Sequence, residues 1–229
     1  MTSWFKWSAL SLVAALAACG GGGGGSDSTP QPDQAVSISF AAVTGSSPVR
    51  CGSTITGLGS GGVSALLADL RFYLTDIQLV NDQGVAVPVT LTTNNWQQTS
   101  TSGHVALIDL EDGSGACSTD GTPETNAVVT GTVPAGHYVK LKATVGVPEK
   151  LSHSDVMAAT APLDIMAMGW SWQAGRKFMK LELNPVGGVT TTPASGTPTT
   201  VSTYSLHLAS TNCSGPGDGT DTCAKKNLA

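Results

Sequence analysis

Positive charge is scarce and scattered in this sequence. Lys and Arg together number 11 among 229 residues, charged residues make up 12% of the chain, and the formal net charge is -5. A surface that binds nucleic acid needs a basic stripe, usually with aromatic side chains among the Lys and Arg residues. Because no such stripe is present, and aromatic residues reach only 5%, we exclude nucleic acid as a partner.

The residue spacings of several common catalytic and metal sites are also missing. No Ser/His/Asp or Cys/His arrangement can be recognised, so a hydrolase has no support and we expect no enzyme. The glycine-rich run at 57–62 lacks the flanking features of a phosphate-binding loop, and we expect an ordinary loop. Asp109, Glu111 and Asp112 lack the ligand spacing of a calcium loop. They are predicted to form a turn with solvated carboxylates.

Glycine, by contrast, is abundant at 28 residues, and Ser and Thr are frequent in short apolar runs, as in exported β proteins. Turn signals separate six β-like runs, at 36–43, 70–80, 85–91, 104–110, 127–133 and 138–145. This spacing predicts a mainly β fold, a β-sandwich or an open barrel. One short helix is predicted to start at Ser152 or Ser154 and to stop before Pro162. A loop at 184–200 and a last strand at 202–210 complete the prediction.

The N-terminus has the anatomy of a bacterial lipoprotein signal. Residues 1–18 contain one Lys, an apolar run too short to span a bilayer comfortably, and then small residues. Leu16-Ala-Ala-Cys19 resembles the lipobox, in which the signal is cut before a cysteine that is then acylated, so Cys19 is the predicted membrane anchor. Residues 19–34 are expected to form a glycine-rich tether and residues 35–229 the folded domain. The alternative is an ordinary signal, with Cys19 discarded or free.

Four further cysteines are predicted to form disulfides. In an exported chain an even number of cysteines favours this chemistry, and four cysteines allow three connectivities. The segment between Cys213 and Cys223 is short and glycine-rich enough to close on itself, which leaves Cys51 to pair with Cys117. A thiolate metal cluster is the rival interpretation, but no cysteine lies in a C-x-x-C pair.

A methionine and tryptophan stripe marks the segment 166–172. If this segment is extended, one face carries Met166, Met168, Trp170 and Trp172, and the small intervening residues lie on the other. The alternation resumes after Ala174-Gly175, which predicts a hairpin. Such a stripe is commonly core, because Met fills gaps and Trp buries a large area. The alternative is that it lines a binding site.

Two of the four histidines are candidate metal ligands. His153 lies where the predicted helix begins, and His207 lies on the opposite face of the last strand from Leu206 and Leu208. Imidazoles, thioethers and electron-rich aromatic side chains are ligands suited to copper, and to Cu(I) in particular.

A set of short segments resembles one known family. In chain order they are Pro48-Val-Arg-Cys51, Asp69-Leu-Arg-Phe-Tyr-Leu74, Val105-Ala-Leu-Ile-Asp-Leu-Glu-Asp-Gly113, Val145-Gly-Val-Pro148, Leu151-Ser-His153, Met168-Gly-Trp-Ser-Trp172, Gly175-Arg-Lys-Phe178 and His207-Leu-Ala-Ser-Thr211. Over residues 36–223 this combination resembles the MbnP-like copper-binding proteins, also described as the four-Cys member of a metallo-mystery pair.

The resemblance implies a copper-binding protein of the periplasm or outer membrane of a Gram-negative bacterium. It also implies a di-haem MauG-like partner, MbnH, that oxidises a Trp of the family to kynurenine. The oxidised residue would be Trp170 or Trp172, and these positions with His153 and His207 would form the copper site. The chain would be the substrate of its partner and not a catalyst.

Three departures from the family are visible. Arg176 stands where an aromatic residue is usual, Ala209 stands where a glycine is usual, and the chain ends at Ala229, where family members generally continue into another Cys-containing segment. We therefore expect a truncated family member. The alternative function is a metal-free exported β-sandwich that serves in adhesion or recognition.

Overall fold

Antiparallel strands dominate the part of the chain that the computed structural model describes, residues 31–171, 175–192, 195–216 and 220–229. In chain order the strands are β1 (Gln34–Ser39), β2 (Val43–Thr44), β3 (Ser47–Pro48), β4 (Thr54–Leu58), β5 (Val63–Asn81), β6 (Ala86–Pro88), β7 (Thr90–Leu91), β8 (Gln97–Ser100), β9 (Gly103–Asp109), β10 (Val128–Val133), β11 (Tyr138–Val145), β12 (Gly169–Ser171), β13 (Gly175–Pro185), β14 (Val189–Thr191), β15 (Thr199–Val201), β16 (Tyr204–Ala209), β17 (Thr211–Ser214) and β18 (Thr222–Lys225). One short α-helix, α1 (Glu149–Ser152), and two 3-10 turns, Gly115–Thr119 and Met166–Met168, accompany them.

The 19-residue strand β5 is the axis of the largest sheet. It pairs with β4 and β13 along its first half, with β9 in the middle, and with β6 and β11 along its second half. Strand β16 then pairs with β13, and β8 with β9. Where β5 pairs with β11, the two residues Asp76 and Ile77 stand opposite the single residue Ala143. Asp76 has a φ of 50° at this point. This β-bulge bends the long strand and lets it serve two sets of neighbours.

A second sheet, ordered β1-β10-β7, covers one face of the large sheet. The core between them contains Leu74 and Ile108 from the large sheet and Leu91 and Val129 from the small one. On the opposite face of the large sheet, alternate residues such as Tyr73 pack in a separate cluster with the connection that precedes β12. The alternation of strand side chains therefore buries both faces of β5. The prediction of a mainly β fold, a β-sandwich or open barrel with one short helix and disulfides, is confirmed.

The predicted helix is displaced toward the N-terminus. It begins after Pro148, whose carbonyl accepts the amides of Leu151 and Ser152 at 2.8 and 2.9 Å. Beyond Ser152, the guanidinium of Arg176 occupies the carbonyls of Leu151, Ser152 and Ser154. A helix that continued would need these carbonyls for amides four residues later. It therefore ends where the sequence predicted its start.

Three other local predictions from the sequence can be compared with the structure. Met166–Met168 is a 3-10 turn and not strand, so Met168 is buried while Met166 points to solvent. The predicted loop at 184–200 contains β14 and most of β15, which form a hairpin, and the tail after β16 contains the hairpin β17–β18. The first two residues of the run at 57–62 end β4, and 59–62 form the connection to β5, where a loop was predicted.

Both expected disulfides are present. Cys51 is bonded to Cys117, with Cα atoms 5.9 Å apart, and Cys213 to Cys223. The second bond joins directly opposed residues of β17 and β18. No helix in the described ranges has the length and apolarity needed to cross a membrane.

Candidate metal centre

Trp170 and His207 contact each other at the edge of the large sheet. Strands β12 and β16 both pair with β13, and they carry Trp170 and His207. The two ring centroids are 5.7 Å apart, and the ring planes are nearly perpendicular at 87°. His207 Nε2 lies 2.7 Å from Glu182 Oε1. The sheet therefore brings two of the predicted site residues together with a carboxylate that the sequence analysis did not single out.

His153 is buried at the C-terminal end of α1. Its Nε2 lies 3.3 Å from Cys223 Sγ, which belongs to the disulfide with Cys213. A disulfide sulfur carries no thiolate charge, and the thiolate is the form of cysteine that binds metals. The neighbouring cysteines therefore do not add strong ligands to this imidazole.

Gly175 permits the close approach of β13 to the turn that carries His153. It has φ 79°, and a Cβ atom there would lie 2.5 Å from Ser152 Oγ and 3.2 Å from His153 Cε1. Both the left-handed backbone and the lack of space require glycine.

A cavity of about 250 Å³ lies between Trp170 and this turn. Its lining includes Ser152, Met157, Met166 and Gly175. The side chains of Met157, Met166 and Trp170 are 78%, 62% and 56% exposed. Thioether sulfur is a soft ligand that suits Cu(I), so the donors around the cavity fit copper. Met157 was assigned to a helix in the sequence analysis, and its place in this cavity was missed.

The MbnP family model matches residues 33–228. The chain belongs to the MbnP family. Its structure is similar to that of MbnP from Methylosinus trichosporium, with a TM-score of 0.72 and 34% identity, over 86% of this chain and 70% of that one. No curated protein matches the chain. The family is associated with methanobactin-related copper systems, and the resemblance noted in the sequence is confirmed.

Arg176 holds the segment around His153 in place. Its buried guanidinium donates through Nη1 to the carbonyls of Leu151, Ser152 and Ser154, at 2.7 to 3.0 Å. Through Nε and Nη2 it donates to Leu163 O, at 3.0 and 2.7 Å. Burial lowers the pKa of Arg176 from its usual value, yet an arginine remains charged. A single side chain thus replaces the backbone hydrogen bonds that a longer helix would have made.

A ladder of charged residues crosses the sheet beside His207. The register aligns His207 of β16 with Lys180 of β13, Lys180 with Arg71 of β5, and Arg71 with Asp109 of β9. In the adjacent row Glu182 is aligned with Asp69, which forms an ion pair with Arg71. Opposed residues share a face of the sheet, so the register alone assembles this network.

The same network corrects the prediction of solvated carboxylates. Asp109 and Glu111 are buried, with Glu111 Oε1 3.6 Å from Arg71 Nη1, and Asp112 alone is exposed. Burial raises the pKa of Asp109 to about 7, against the opposing charge of Arg71.

Within the described ranges, three groups of His, Cys, Asp and Glu are close enough to share an ion. The first is His153 with Cys213 and Cys223, and the second is Glu111 with Cys51 and Cys117. Both contain a disulfide. The third is Asp69, Asp120 and Glu182, and Lys180 occupies its centre, with Nζ 2.9, 2.5 and 3.5 Å from the three carboxylates. A metal ion bound by these three carboxylates would have to displace the ammonium group of Lys180.

The predicted site residues thus divide into three groups. Trp170 and His207 are in contact. His153 lies next to Ser152, which lines the cavity beside Trp170. Trp172 and Cys19 lie outside the described residues.

Proposed function

We propose that the chain is an exported copper-binding lipoprotein of the periplasm or outer membrane, and that it is not an enzyme. We further propose that it is the substrate of a di-haem MauG/MbnH-like partner, which oxidises Trp170 or Trp172 to kynurenine. The observation that carries the proposal is the contact of Trp170 with His207 beside a cavity lined by exposed thioethers. His153, His207 and the oxidised Trp are the proposed copper ligands.

The chemistry of the indole explains why oxidation would matter. The indole nitrogen lone pair belongs to the aromatic ring, and its N–H only donates, so Trp is a poor metal ligand. Oxidation to kynurenine adds two oxygen atoms, from O2 or a peroxide used by the partner, to C2 and C3 of the indole and breaks the bond between them. Hydrolysis then releases C2 as formate. An aryl amine and a ketone remain, both with available lone pairs. Copper would then be held by the imidazoles of His153 and His207 and by the aryl amine, nitrogen donors of the kind that suit copper.

The position of Trp170 supports such a modification. Its side chain is 56% exposed, so an oxidant on a second protein can reach the ring. Lys177 Nζ lies 6.0 Å from the Trp170 ring and donates to the carbonyls of Ala167 and Gly169 at 2.9 and 3.1 Å. These contacts fix the backbone that leads into β12 and hence the direction of the indole.

The proposal is tested by producing the mature chain with and without the di-haem partner. We expect peptide mapping to find kynurenine at position 170 or 172 only after co-production, and copper to bind more tightly to that protein. A Trp170→Phe, Trp172→Phe double variant should lose this gain. Trp96→Phe is the matched control, because Trp96 packs against the core around Tyr73.

The histidines are tested in the same titration. His153→Ala and His207→Ala should each weaken copper binding at least about tenfold, the scale expected when a ligand or its close support is removed. His137→Ala should leave it unchanged, because that side chain is 77% exposed and its charged contact is with Asp82, 4.0 Å away. Intact tryptophans after co-production, with no copper binding, would contradict the proposal and favour the metal-free recognition module.

A further inference from the structure

The contact between Glu182 and His207 is built into the sheet. The two residues lie on the same face of paired strands, because Glu182 stands opposite Ser205 and His207 opposite Lys180. Their side chains meet diagonally, with Glu182 Oε1 2.7 Å from His207 Nε2. Neither residue lies in a loop, so the backbone pairing of β13 and β16 sets this distance.

We propose that Glu182 is a positioning residue that fixes the tautomer of His207 and thereby makes Nδ1 the atom that binds the metal. The inference rests on the proposed function and goes beyond it, because it assigns a ligand atom and the residue that selects it. An ionised carboxylate accepts hydrogen bonds and cannot donate them. Nε2 must therefore carry the proton, and the lone pair of the neutral imidazole is on Nδ1.

Glu182 is itself held in place by the buried side chain of Lys180. Lys180, only 2% exposed, has Nζ 3.5 Å from Glu182 Oε2, 2.9 Å from Asp69 Oδ2 and 2.5 Å from Asp120 Oδ2. Burial lowers the pKa of Lys180, but hydrogen bonds with Asp120 and Asp69 raise it by more, so the net shift is upward. The ammonium group of Lys180 therefore lies beside the carboxylate that faces His207 and holds its position in the sheet.

The imidazole of His207 also contacts Trp170, which lines the candidate cavity. Trp170 packs edge-on against the ring, and among the described residues Nδ1 has no hydrogen-bond partner. In metal sites a ligating histidine commonly donates its second N–H to a carboxylate, which fixes the ring and raises its basicity. Glu182 acts on the metal through His207 and does not touch it.

The tautomer is measured directly by ¹⁵N NMR of the histidine side chains in the wild-type protein, at a pH at which the spectrum shows neutral imidazole. We expect His207 to show a protonated Nε2 and an unprotonated Nδ1. Diamagnetic Cu(I), added to protein co-produced with its partner, should shift Nδ1 and leave Nε2 protonated. Both NMR measurements use the wild-type protein and need no substitution. A protonated Nδ1 in the wild-type protein would overturn the inference.

The role of the carboxylate is tested with Glu182→Ala. Lys180 keeps Asp69 and Asp120 in this variant, so we expect it to fold, which a thermal melt checks. His207 should become a mixture of tautomers, and copper affinity should fall about 10- to 100-fold. Asp82→Ala is the matched control: it removes a carboxylate 4.0 Å from the exposed His137 and should change neither result.

The outcomes separate the two proposals. A wild-type tautomer pattern in folded Glu182→Ala, with copper affinity within about twofold of wild type, would overturn the positioning role while copper binding stands. If the co-produced wild-type protein binds no copper but shows a protonated Nε2, the proposed function and the metal role of Nδ1 fail, and the positioning contact stands.

Discussion

Asp109 is a single carboxyl group whose environment makes the stability of the whole chain depend on pH. It is buried beside Arg71 and Glu111, and burial raises its pKa from 3.8 to about 7. The native state therefore keeps a proton that the unfolded chain releases. Stability falls as the pH rises from about 4 to about 7, by at most about 1.4 kcal/mol per pH unit for one proton. Above about pH 7 the loss of stability is complete and no longer changes with pH.

Asp109→Asn should remove this dependence, because an amide does not titrate. We expect the free energy of unfolding of the variant, relative to wild type, to increase between pH values of about 4 and 7 and then to level off. Urea denaturation across this range measures it. Asp112→Asn is the control: hydrogen bonds from Ser114 lower the pKa of this exposed carboxyl, so its effect is confined to more acidic solution. If the difference in the free energy of unfolding between Asp109→Asn and wild type stays constant with pH, the raised pKa of Asp109 is contradicted.

Among the structural elements, the two disulfides should contribute unequally to stability. Cys51 and Cys117 are separated by 66 residues, and Cys213 and Cys223 by 10. A longer closed loop restricts the unfolded chain more, so the first bond should contribute about 4 kcal/mol and the second about 3. Paired Cys→Ser variants, unfolded in urea, test both values.

The hairpin β17–β18 adds a local effect to this difference. Cys223 Sγ contacts His153 Nε2, whereas the bond from Cys51 to Cys117 lies in a separate apolar cluster with Ile55 and Leu67. The NMR signals of His153 should therefore move in the Cys213→Ser, Cys223→Ser variant and stay in place in the other one. Equal shifts in both variants would show that the effect on His153 is indirect.

For the molecule as a whole, the predicted attachment to a membrane depends on one residue outside the described ranges. Acylated Cys19 would carry a diacylglyceryl group and an amide-linked chain, which anchor firmly where a single chain binds only marginally. We expect wild-type protein in the membrane fraction and Cys19→Ala protein in the soluble fraction after cell lysis. Ser26→Ala, in the same tether, should behave as wild type. A Cys19→Ala protein that stays with the membrane would refute the anchor.

The strand pattern was predictable from local sequence. Alternation and turn residues identified the segments that became β1, β9, β10, β11 and β16, within a few residues at each end. The two disulfides followed from the spacing of four cysteines, and the segments from Pro48 to Thr211 identified the family. These features depend on side-chain periodicity, turn chemistry and the order of residues, all of which are properties of neighbours along the chain.

The site depended on tertiary structure at the points where distant residues meet. Nothing local shows that Arg176 takes the carbonyls of residues 151–154 and so stops the helix, because a buried cation finds its acceptors only after β13 has packed. Likewise, Lys180, Glu182 and His207 alternate with apolar residues in their own strands, but only the register of β13, β5 and β16 aligns them with Arg71 and Asp69. The sequence by itself thus determined several of the strands, the cysteine pairs and the family. The pairing register decided which charged side chains meet, since a shift of one residue would turn each of them to the opposite face.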